Sequence, residues 1–359
     1  MKILIDIGHP AHVHYFKNLI NILEQNNHNV IVSAREKDIT FELLRSYNIP
    51  FINRGSGSDS LLGKLFYLFK TNIALYKTCL IEVPDLFIGF GSPYAAQVAR
   101  FLGKPSIILD DTENAKIGQL FYKYFATTIL SPSTFFKNFG QKHIKFNGYM
   151  ELTYLHNRHF SPDKEILKEL GVTDDQKYTI LRFVSWNANH DLGHSGISYG
   201  NKLRALKEFS KFGKVFISSE SELTGELKKY QFNLPPNKMH DAIFYASLVF
   251  GESATMASEA ACLGVPAIYV DTIGRGYTDE EEKKYKLVFN FKEVANSQFS
   301  SIKKGINILE SDKIIWKQRQ KTMLSEKIDT TSFLAWLIEN YPKSITILRN
   351  DPSYQYNFK

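Results

Sequence analysis

Short runs of apolar and β-branched residues alternate along the chain with longer stretches whose apolar positions recur every three or four residues. The short runs are typical of buried strands and the longer stretches of amphipathic helices. Because the two kinds of segment alternate, the pattern predicts βαβ units, which build a parallel sheet covered by helices on both faces. The first series of predicted strands comprises residues 2–7, 29–34, 50–53, 86–90, 106–110 and 127–130.

A second series of the same kind begins after residue 160. We therefore expect an α/β protein of two doubly wound, Rossmann-type domains, 1–150 and 160–330, that face a central cleft. Residues 331–359 form a C-terminal helix and tail that either end the second domain or cross back to the first, and the polar, aromatic segment 350–359 is expected to be loosely ordered. The second series has predicted strands at 178–184, 214–218, 248–251 and 267–270 and helices near 163–170, 202–212, 256–263 and 300–310.

The composition is that of a globular protein. The chain has 359 residues, of which 43% are hydrophobic and 23% charged, which excludes disordered and fibrous classes. No apolar run reaches the ~18–20 residues of a membrane span. Asp6 interrupts the first apolar run too early for a signal peptide, so a cytoplasmic location is expected. Cys79 and Cys262 are isolated in apolar patterns, and we predict that both fill the core.

The net charge of +7 is unevenly distributed, because residues 1–150 hold 16 basic and 11 acidic residues. This local excess of positive charge suits an anionic ligand or an acidic membrane surface. The sequence contains no zinc-finger pattern, RNA-binding aromatic signature or basic repeat. A nucleic-acid partner is therefore not expected.

A histidine-rich turn follows the first predicted strand, where ligands bind in open α/β sheets. Gly8 permits a tight turn, and the helix that begins there offers free N–H groups to a substrate. The ordinary pKa of His9, His12 and His14 suits proton transfer near neutrality, so at least one of them is a candidate to act on substrate. Alternatively, one of these histidines caps the helix, one packs against neighbouring side chains and one is exposed to solvent. Zinc is not expected, because His12 and His14 do not face the same way on a helix.

A turn of small polar residues follows the strand that ends at Gly251. The hydroxyls of Ser253 and Thr255, with the N–H groups of the following helix, suit a diphosphate. Glu259 stands on that helix among apolar residues. Its carboxylate either accepts hydrogen bonds from the two hydroxyls of a ribose or is a solvated helix-face residue.

This order of strand, small-residue turn, helical glutamate and the segment 263–266 resembles the nucleotide-sugar site of GT-B glycosyltransferases and of non-hydrolysing UDP-N-acetylglucosamine 2-epimerases. Segments 6–17 and 255–266 together look like a GT-B-like family of bacterial and archaeal proteins catalogued as a domain of unknown function. The resemblance spans residues 1–340 and implies two Rossmann-like domains with a nucleotide-sugar substrate.

The same resemblance implies roles for residues of the second domain. Glu259 would be the ribose ligand, and Ser253, Thr255 and Met256 would form the diphosphate cradle. The segment that contains Met239 and His240 falls where such proteins hold the uracil edge through backbone groups. His240 is alternatively a surface residue ahead of a helix.

Two further loops carry candidate residues at strand ends. Arg182 either pairs with phosphate oxygens or binds an acidic neighbour. Asp110, Asp111 and Glu113 are either acid/base groups or part of a helix start capped by Asp111 or the adjacent Thr112. The loop after Arg182 adds the candidate substrate-binding residues Ser185, Trp186, His190 and His194, of which Trp186 alternatively closes a domain contact.

The leading hypothesis is a glycosyltransferase with a UDP-sugar donor in the second domain and an envelope or polysaccharide-pathway acceptor in the first. His12 or His14 would be the base, with Asp110 or Glu113 less favoured, and Arg182 with helix amides would stabilise the leaving diphosphate. The sequence contains no Asp-x-Asp motif, so we expect neither a metal nor a cofactor apart from the UDP-sugar substrate.

Two alternatives belong to other classes. In a non-hydrolysing UDP-sugar 2-epimerase, Asp111, Glu113 and either His190 or His194 would move the C2 proton, although the epimerase loop His-Arg-Arg-Glu-Asn is absent. A non-catalytic nucleotide-sugar binding protein would keep Glu259 but show no turnover.

Residues 60–77 predict a long apolar and aromatic helix that also carries Lys64, Lys70 and Lys77. It is either a core helix whose lysines reach solvent or a helix whose N-terminal part contacts the inner face of the membrane. A helix that contacts the membrane would bring the enzyme to a lipid-linked acceptor. A core helix would favour a soluble saccharide as the acceptor.

Overall fold

The computed structural model describes residues 1–58, 61–184, 196–271, 274–292 and 294–359. The chain divides into two compact units. Unit 1 consists of Met1–Tyr154 and Lys327–Lys359, and unit 2 of Leu155–Glu326. Each unit contains one parallel sheet, so the predicted class of two Rossmann-like domains is confirmed.

The sheet of unit 1 has seven strands in the order β3-β2-β1-β4-β5-β6-β7. The order reverses between β1 and β4, and such a switch point is where open α/β sheets bind ligands. The strands are β1 (Lys2–Ile7), β2 (Asn29–Glu36), β3 (Ile52–Ser56), β4 (Leu86–Phe90), β5 (Ser106–Leu109), β6 (Thr128–Pro132) and β7 (His143–Phe146).

The sheet of unit 2 has five strands in the order β12-β11-β10-β8-β9, with its switch point between β8 and β10. Arg182 of β8 lies opposite Gly251 of β10 at this point. The strands are β8 (Tyr178–Phe183), β9 (Lys214–Ser219), β10 (Leu248–Gly251), β11 (Ala267–Val270) and β12 (Val288–Phe291).

The helices fill the connections between strands. A π-helix over Glu281–Tyr285 follows the eleventh helix, and a 3-10 helix over Pro352–Phe358 follows the fifteenth. The α-helices are α1 (Pro10–Gln25), α2 (Thr40–Ser46), α3 (Leu61–Glu82), α4 (Pro93–Phe101), α5 (Lys116–Lys123), α6 (Leu152–Leu155), α7 (Glu165–Glu169), α8 (Tyr199–Phe209), α9 (Met239–Tyr245), α10 (Ala254–Cys262), α11 (Gly276–Glu280), α12 (Val294–Glu310), α13 (Lys313–Glu326), α14 (Thr330–Glu339) and α15 (Lys343–Asn350).

The central strands of each sheet are deeply buried, because helices cover both faces of a parallel sheet. Ile3, Leu4 and Ile5 of β1 are completely buried. Cys79 and Cys262 are both buried in the core, as predicted. Within the described part of the chain, no helix is long and apolar enough to cross a membrane.

The prediction of a loosely ordered tail was wrong. The indole of Trp336 stacks on the ring of Tyr354 at 4.8 Å between centroids and lies 5.3 Å from the ring of Phe358. Gln355 is buried and accepts a hydrogen bond from the backbone N–H of Asn147 at 2.6 Å. The aromatic side chains of the tail therefore pack against Trp336, and this packing orders the tail. The polar residues between them had suggested a loose segment.

Candidate functional site

A buried carboxylate organises the switch point of unit 1. Asp6, at the end of β1, is 1% exposed. It accepts hydrogen bonds from the hydroxyls of Ser33 (3.1 Å) and Ser92 (2.6 Å), and its Oδ1 lies 3.0 Å from Nε of Arg54. These partners come from β2, from the N-cap of α4 and from β3. A buried carboxylate needs such pairing, and the pairing fixes the loops after these strands relative to β1.

Arg54 supports the turn that follows β1. Its guanidinium lies 4.3 Å from the ring centre of Tyr94 and donates to the Tyr67 hydroxyl at 3.1 Å. Burial opposes the charge of Arg54, but Asp6, Tyr67 and Tyr94 together raise its pKa above the ordinary value. A Cβ atom at Gly8 would lie 3.5 Å from Nη2 of Arg54, so a cation lies directly behind the turn.

The structure gives His12 a defined tautomer. Its Nδ1 accepts a hydrogen bond from the backbone N–H of Gly8 at 3.2 Å. Since a backbone N–H can only donate, neutral His12 carries its proton on Nε2. Burial, His9, Lys37 and Arg54 lower the pKa of His12 well below 6.5. His12 is therefore a neutral hydrogen-bond donor through Nε2, which is a poor arrangement for the base that the sequence suggested.

The other two histidines of the turn serve α1. His9 is the N-cap of this helix, and its Nδ1 accepts from the backbone N–H of Ala11 at 3.2 Å. His14 is 8% exposed, and its ring stacks against Tyr154 at 5.3 Å and meets Tyr47 edge-on at 5.9 Å. The interpretation of one capping and one packing histidine thus describes His9 and His14, and the base role predicted for His14 remains a prediction.

The carboxylates after β5 differ in their surroundings. Asp110 is buried and accepts from the backbone N–H of Thr112 and from Nε2 of Gln119, each at 2.9 Å, and from the Tyr122 hydroxyl. Burial raises the pKa of Asp110, while these hydrogen bonds act in the opposite direction. Asp111 accepts from the Thr112 hydroxyl at 3.0 Å.

Glu113 is 9% exposed and lies in a turn ahead of α5. The alternative of a helix start capped by Asp111 or Thr112 was wrong, because α5 begins only at Lys116. The acid/base assignment of Asp110, Asp111 and Glu113 remains a prediction.

In unit 2, the turn after β10 has the predicted helix start. Ser253 is the N-cap of α10, and its hydroxyl accepts from the backbone N–H of Met256 at 3.3 Å. Thr255 is half-buried in the first turn of the helix. A Cβ atom at residue 251 would lie 2.0 Å from the carbonyl oxygen of Arg182, so only glycine allows this close approach of the backbones.

The structure brings Glu259 and His240 together. Nε2 of His240 lies 2.9 Å from Oε1 of Glu259, and the two residues are 3% and 5% exposed. The surface alternatives for both residues were therefore wrong. Met239, the first residue of α9 and the neighbour of His240 in sequence, is half-buried. A buried carboxylate with one oxygen held by a histidine is a rigid hydrogen-bond acceptor.

Arg182 has an acidic neighbour. Its Nη2 donates to Glu220 at 2.5 Å and its Nη1 to the Ser218 hydroxyl at 2.8 Å. Among the described residues, Nε of Arg182 is buried without a hydrogen-bond partner. The alternative that Arg182 binds an acidic neighbour therefore describes the terminal nitrogens of its guanidinium. The pairing of Arg182 with phosphate oxygens stays a prediction. Ser185, Trp186, His190 and His194 lie outside the described residues.

Glu252 is a residue that sequence reasoning missed. It is 3% exposed and accepts hydrogen bonds from the backbone N–H groups of Val184 (2.9 Å) and Ile197. Nζ of Lys202 lies 3.9 Å from the same carboxylate. Glu252 thus fixes the chain on either side of segment 185–195. In the sequence it looked like one more polar residue of the turn, with no sign of its distant partners.

No three His, Cys, Asp or Glu side chains come together as a metal site in the residues that the structure describes.

Comparison with known proteins identifies the family. Residues 1–273 match the model of a family described as "Protein of unknown function (DUF354)". The chain belongs to this family. An uncharacterized protein of Methanocaldococcus jannaschii is 26% identical over 279 residues, which cover 75% of this chain and 81% of that protein. The resemblance stated from the sequence is confirmed.

Solved structures define the fold. The UDP-GlcNAc 2-epimerase of Neisseria meningitidis bound to UDP-GlcNAc is similar with a TM-score of 0.68 at 12% identity, over 95% of this chain and 100% of that one. A spinosyn rhamnosyltransferase complexed with thymidine diphosphate is similar with a TM-score of 0.62 at 10% identity, over 94% and 100%. At these identities the similarity establishes the fold, which is GT-B, as predicted.

Proposed function

We propose that this protein is a glycosyltransferase that moves a sugar from a UDP-sugar to a hydroxyl acceptor. The observation that carries the proposal is the buried pair of Glu259 and His240 on the helices beside the switch point of unit 2. A carboxylate held in this way can accept hydrogen bonds from the vicinal hydroxyls of a ribose. The start of α10, six residues earlier, offers backbone N–H groups to a diphosphate.

In unit 2, the donor nucleotide would therefore lie along the first turns of α10. Ser253 and Thr255 stand at the start of the helix, where the positive end of the helix dipole favours phosphate oxygens. When the bond between the anomeric carbon and the β-phosphate oxygen breaks, its electron pair remains on UDP. Helix N–H groups would stabilise that charge without a metal ion.

In unit 1, the acceptor would contact the turn after β1. His12, neutral and protonated on Nε2, donates a hydrogen bond to a substrate oxygen, and Arg54 fixes the turn from behind. The acceptor oxygen attacks the anomeric carbon and loses its proton to a base. We assign this role to Glu113, which lies in the turn after β5, at the carboxyl end of the sheet.

A UDP-sugar 2-epimerase is the alternative, and solved epimerases share the fold. Incubation with UDP-N-acetylglucosamine in deuterated water distinguishes the two reactions. Transfer predicts release of UDP only when an acceptor is added and no deuterium at C2. Deuterium at C2 without an acceptor would establish the epimerase. Binding of UDP without turnover on a broad panel of UDP-sugars and acceptors would support a non-catalytic binding protein.

A further inference from the structure

Two helices of unit 1 expose large apolar side chains to solvent. Phe66 and Phe69 of α3 are 70% and 61% exposed, and Ile117 of α5 is 70% exposed. A monomeric protein rarely leaves so many large apolar side chains together in water, and such patches mark interaction sites. We define the α3–α5 surface as Leu62, Leu65, Phe66, Phe69, Ile73, Leu80 and Ile81 of α3, Ile117, Leu120 and Phe121 of α5, and the adjacent Tyr124.

One glutamine joins the two helices into a single surface. Oε1 of Gln97, on α4, accepts from Nδ2 of Asn72 on α3 at 2.6 Å. Nε2 of the same amide donates to the carbonyl oxygen of Phe121 on α5 at 2.7 Å. Ala95 and Ala99 of α4 are completely buried, so the small residues of α4 lie in the core. α3 and α5 are therefore held close together on the outside of the sheet.

The charges within these helices are almost all positive. α3 and α5 contain Lys64, Lys70, Lys77, Lys116 and Lys123, and Glu82 is their one carboxylate. Glu82 stands at the end of α3, and one of its oxygens lies 3.3 Å from Nζ of Lys2. The surface thus combines apolar side chains with lysines whose long aliphatic stems can lie against the apolar patch.

A depression beside α5 concentrates this positive charge. It has a volume of about 400 Å³ and is lined by Lys116, Lys123 and Lys137 together with Leu120. Burial, with Lys116 and Lys123, lowers the pKa of Lys137, against the opposing effects of Asp110 and Glu113. Three ammonium groups around one depression, next to exposed Ile117, fit a phosphate group that is attached to an apolar chain.

We propose that the α3–α5 surface docks on an anionic lipid bilayer. Phe66, Phe69 and Ile117 enter the interface between headgroups and acyl chains, and the lysines contact phosphate oxygens. The depression of Lys116, Lys123 and Lys137 takes a lipid phosphate. This inference goes beyond the proposed transferase activity and does not depend on it, because membrane binding can be measured without any sugar substrate.

The charge pattern favours a bilayer over a second copy of the chain. Self-association through this surface would bring the lysines of one copy against those of the other, with only Glu82 as a carboxylate on the two helices of each copy. Lysine is depleted at the centres of protein interfaces, because its charge is costly to bury without a partner. Anionic headgroups supply the negative charge that another copy lacks.

Co-sedimentation of the full chain with vesicles tests the proposal. We expect binding to phosphatidylcholine vesicles that contain phosphatidylglycerol, weaker binding at high salt, and little binding to phosphatidylcholine alone. The double variant Phe66→Ser/Phe69→Ser should bind at least about tenfold more weakly, because both rings are exposed in the free protein and lose only their membrane contacts. Lys116→Glu/Lys123→Glu should have an effect of similar size.

Matched variants in unit 2 serve as controls. Phe299→Ser removes a ring that is 56% exposed, and Lys229→Glu/Lys283→Glu reverses two exposed charges. Both should bind anionic vesicles like the wild type. Wild-type protein that stays in the supernatant with anionic vesicles at low salt would overturn the proposal. A concentration-dependent dimer that forms without lipid and disappears in Phe66→Ser/Phe69→Ser would overturn it too, in favour of a second copy.

Discussion

Asp6 and Arg54 are 48 residues apart in sequence, yet Nε of Arg54 lies 3.0 Å from Oδ1 of Asp6. The Arg54 side chain is 4% exposed and the Asp6 side chain 1%. The pair joins β1 to β3 across β2, because the sheet order places β2 between them. Two hydroxyls also hold the carboxylate. Charges buried in this way stabilise a fold only when they remain together.

Arg54→Met should therefore lower the free energy of unfolding by about 3–5 kcal/mol, because it leaves the carboxylate of Asp6 buried without its cation. Urea denaturation followed by circular dichroism measures the change. Arg45→Met, at an exposed position of α2, is the matched control and should change stability by less than about 0.5 kcal/mol. Equal losses in the two variants would show that the ion pair contributes no special stability.

Glu259→Gln should weaken the binding of UDP by roughly 1–3 kcal/mol, because a neutral amide is a poorer acceptor for the ribose hydroxyls than a carboxylate. Isothermal titration calorimetry with UDP measures the affinity. Glu226→Gln is the matched control, since it makes the same change at an exposed position of unit 2 outside α9 and α10. Unchanged affinity in Glu259→Gln would remove the basis of the donor-site assignment.

His12→Gln should reduce kcat/KM roughly two- to tenfold, the effect of weakening one neutral hydrogen bond, and leave the shape of the pH profile unchanged. The reason is that the lowered pKa of His12 keeps it neutral across the working range. Rates measured between pH 5.5 and about 8.5 provide the comparison, with His28→Gln as the control. If the substitution removes an inflection near neutrality, His12 is the base after all.

His143 should make the protein less stable in acid. Burial and Lys145 lower its pKa in the folded chain from 6.5 to about 4. Between these values the unfolded chain binds more protons, so stability is lost as the pH falls from 6.5 towards 4, by about 1–3 kcal/mol in all. His143→Gln can keep the bonds to the Phe139 N–H and the Ser131 hydroxyl, and its urea midpoint should fall less over this range. Parallel curves for both proteins would exclude His143 as the cause.

The sequence predicted what depends on local pattern. β1, β4 and β10 were predicted with their observed bounds, since continuous apolar runs mark strands that are buried on both faces. β7 and β12 were missed, because polar side chains interrupt their short apolar runs. The start of α10 could be predicted because its signals, the capping serine and the preceding glycine, are close together in sequence.

Long-range partners could not be predicted in the same way. Asp6 was visible as a carboxylate in an apolar strand, but nothing in the pattern identified Arg54 as its partner. The same is true of Glu252, whose partners Val184 and Ile197 are 68 and 55 residues away. The tautomer of His12 depends on the position of one backbone N–H, which a sequence of residue types does not specify.

The return of residues 327–359 to unit 1 has a consequence for synthesis on the ribosome. Residues 1–154 emerge first, but α14 packs on α1, Nζ of Lys327 donates to Oδ1 of Asn147 at 3.0 Å, and the Thr331 hydroxyl donates to the carbonyl oxygen of Thr153. Residues 155–326 are complete in the nascent chain before any of these contacts can form. Domains usually fold in the order in which they are translated. Here the core of unit 1 cannot close until residues 327–359 have been translated, although residues 1–154 are made before unit 2.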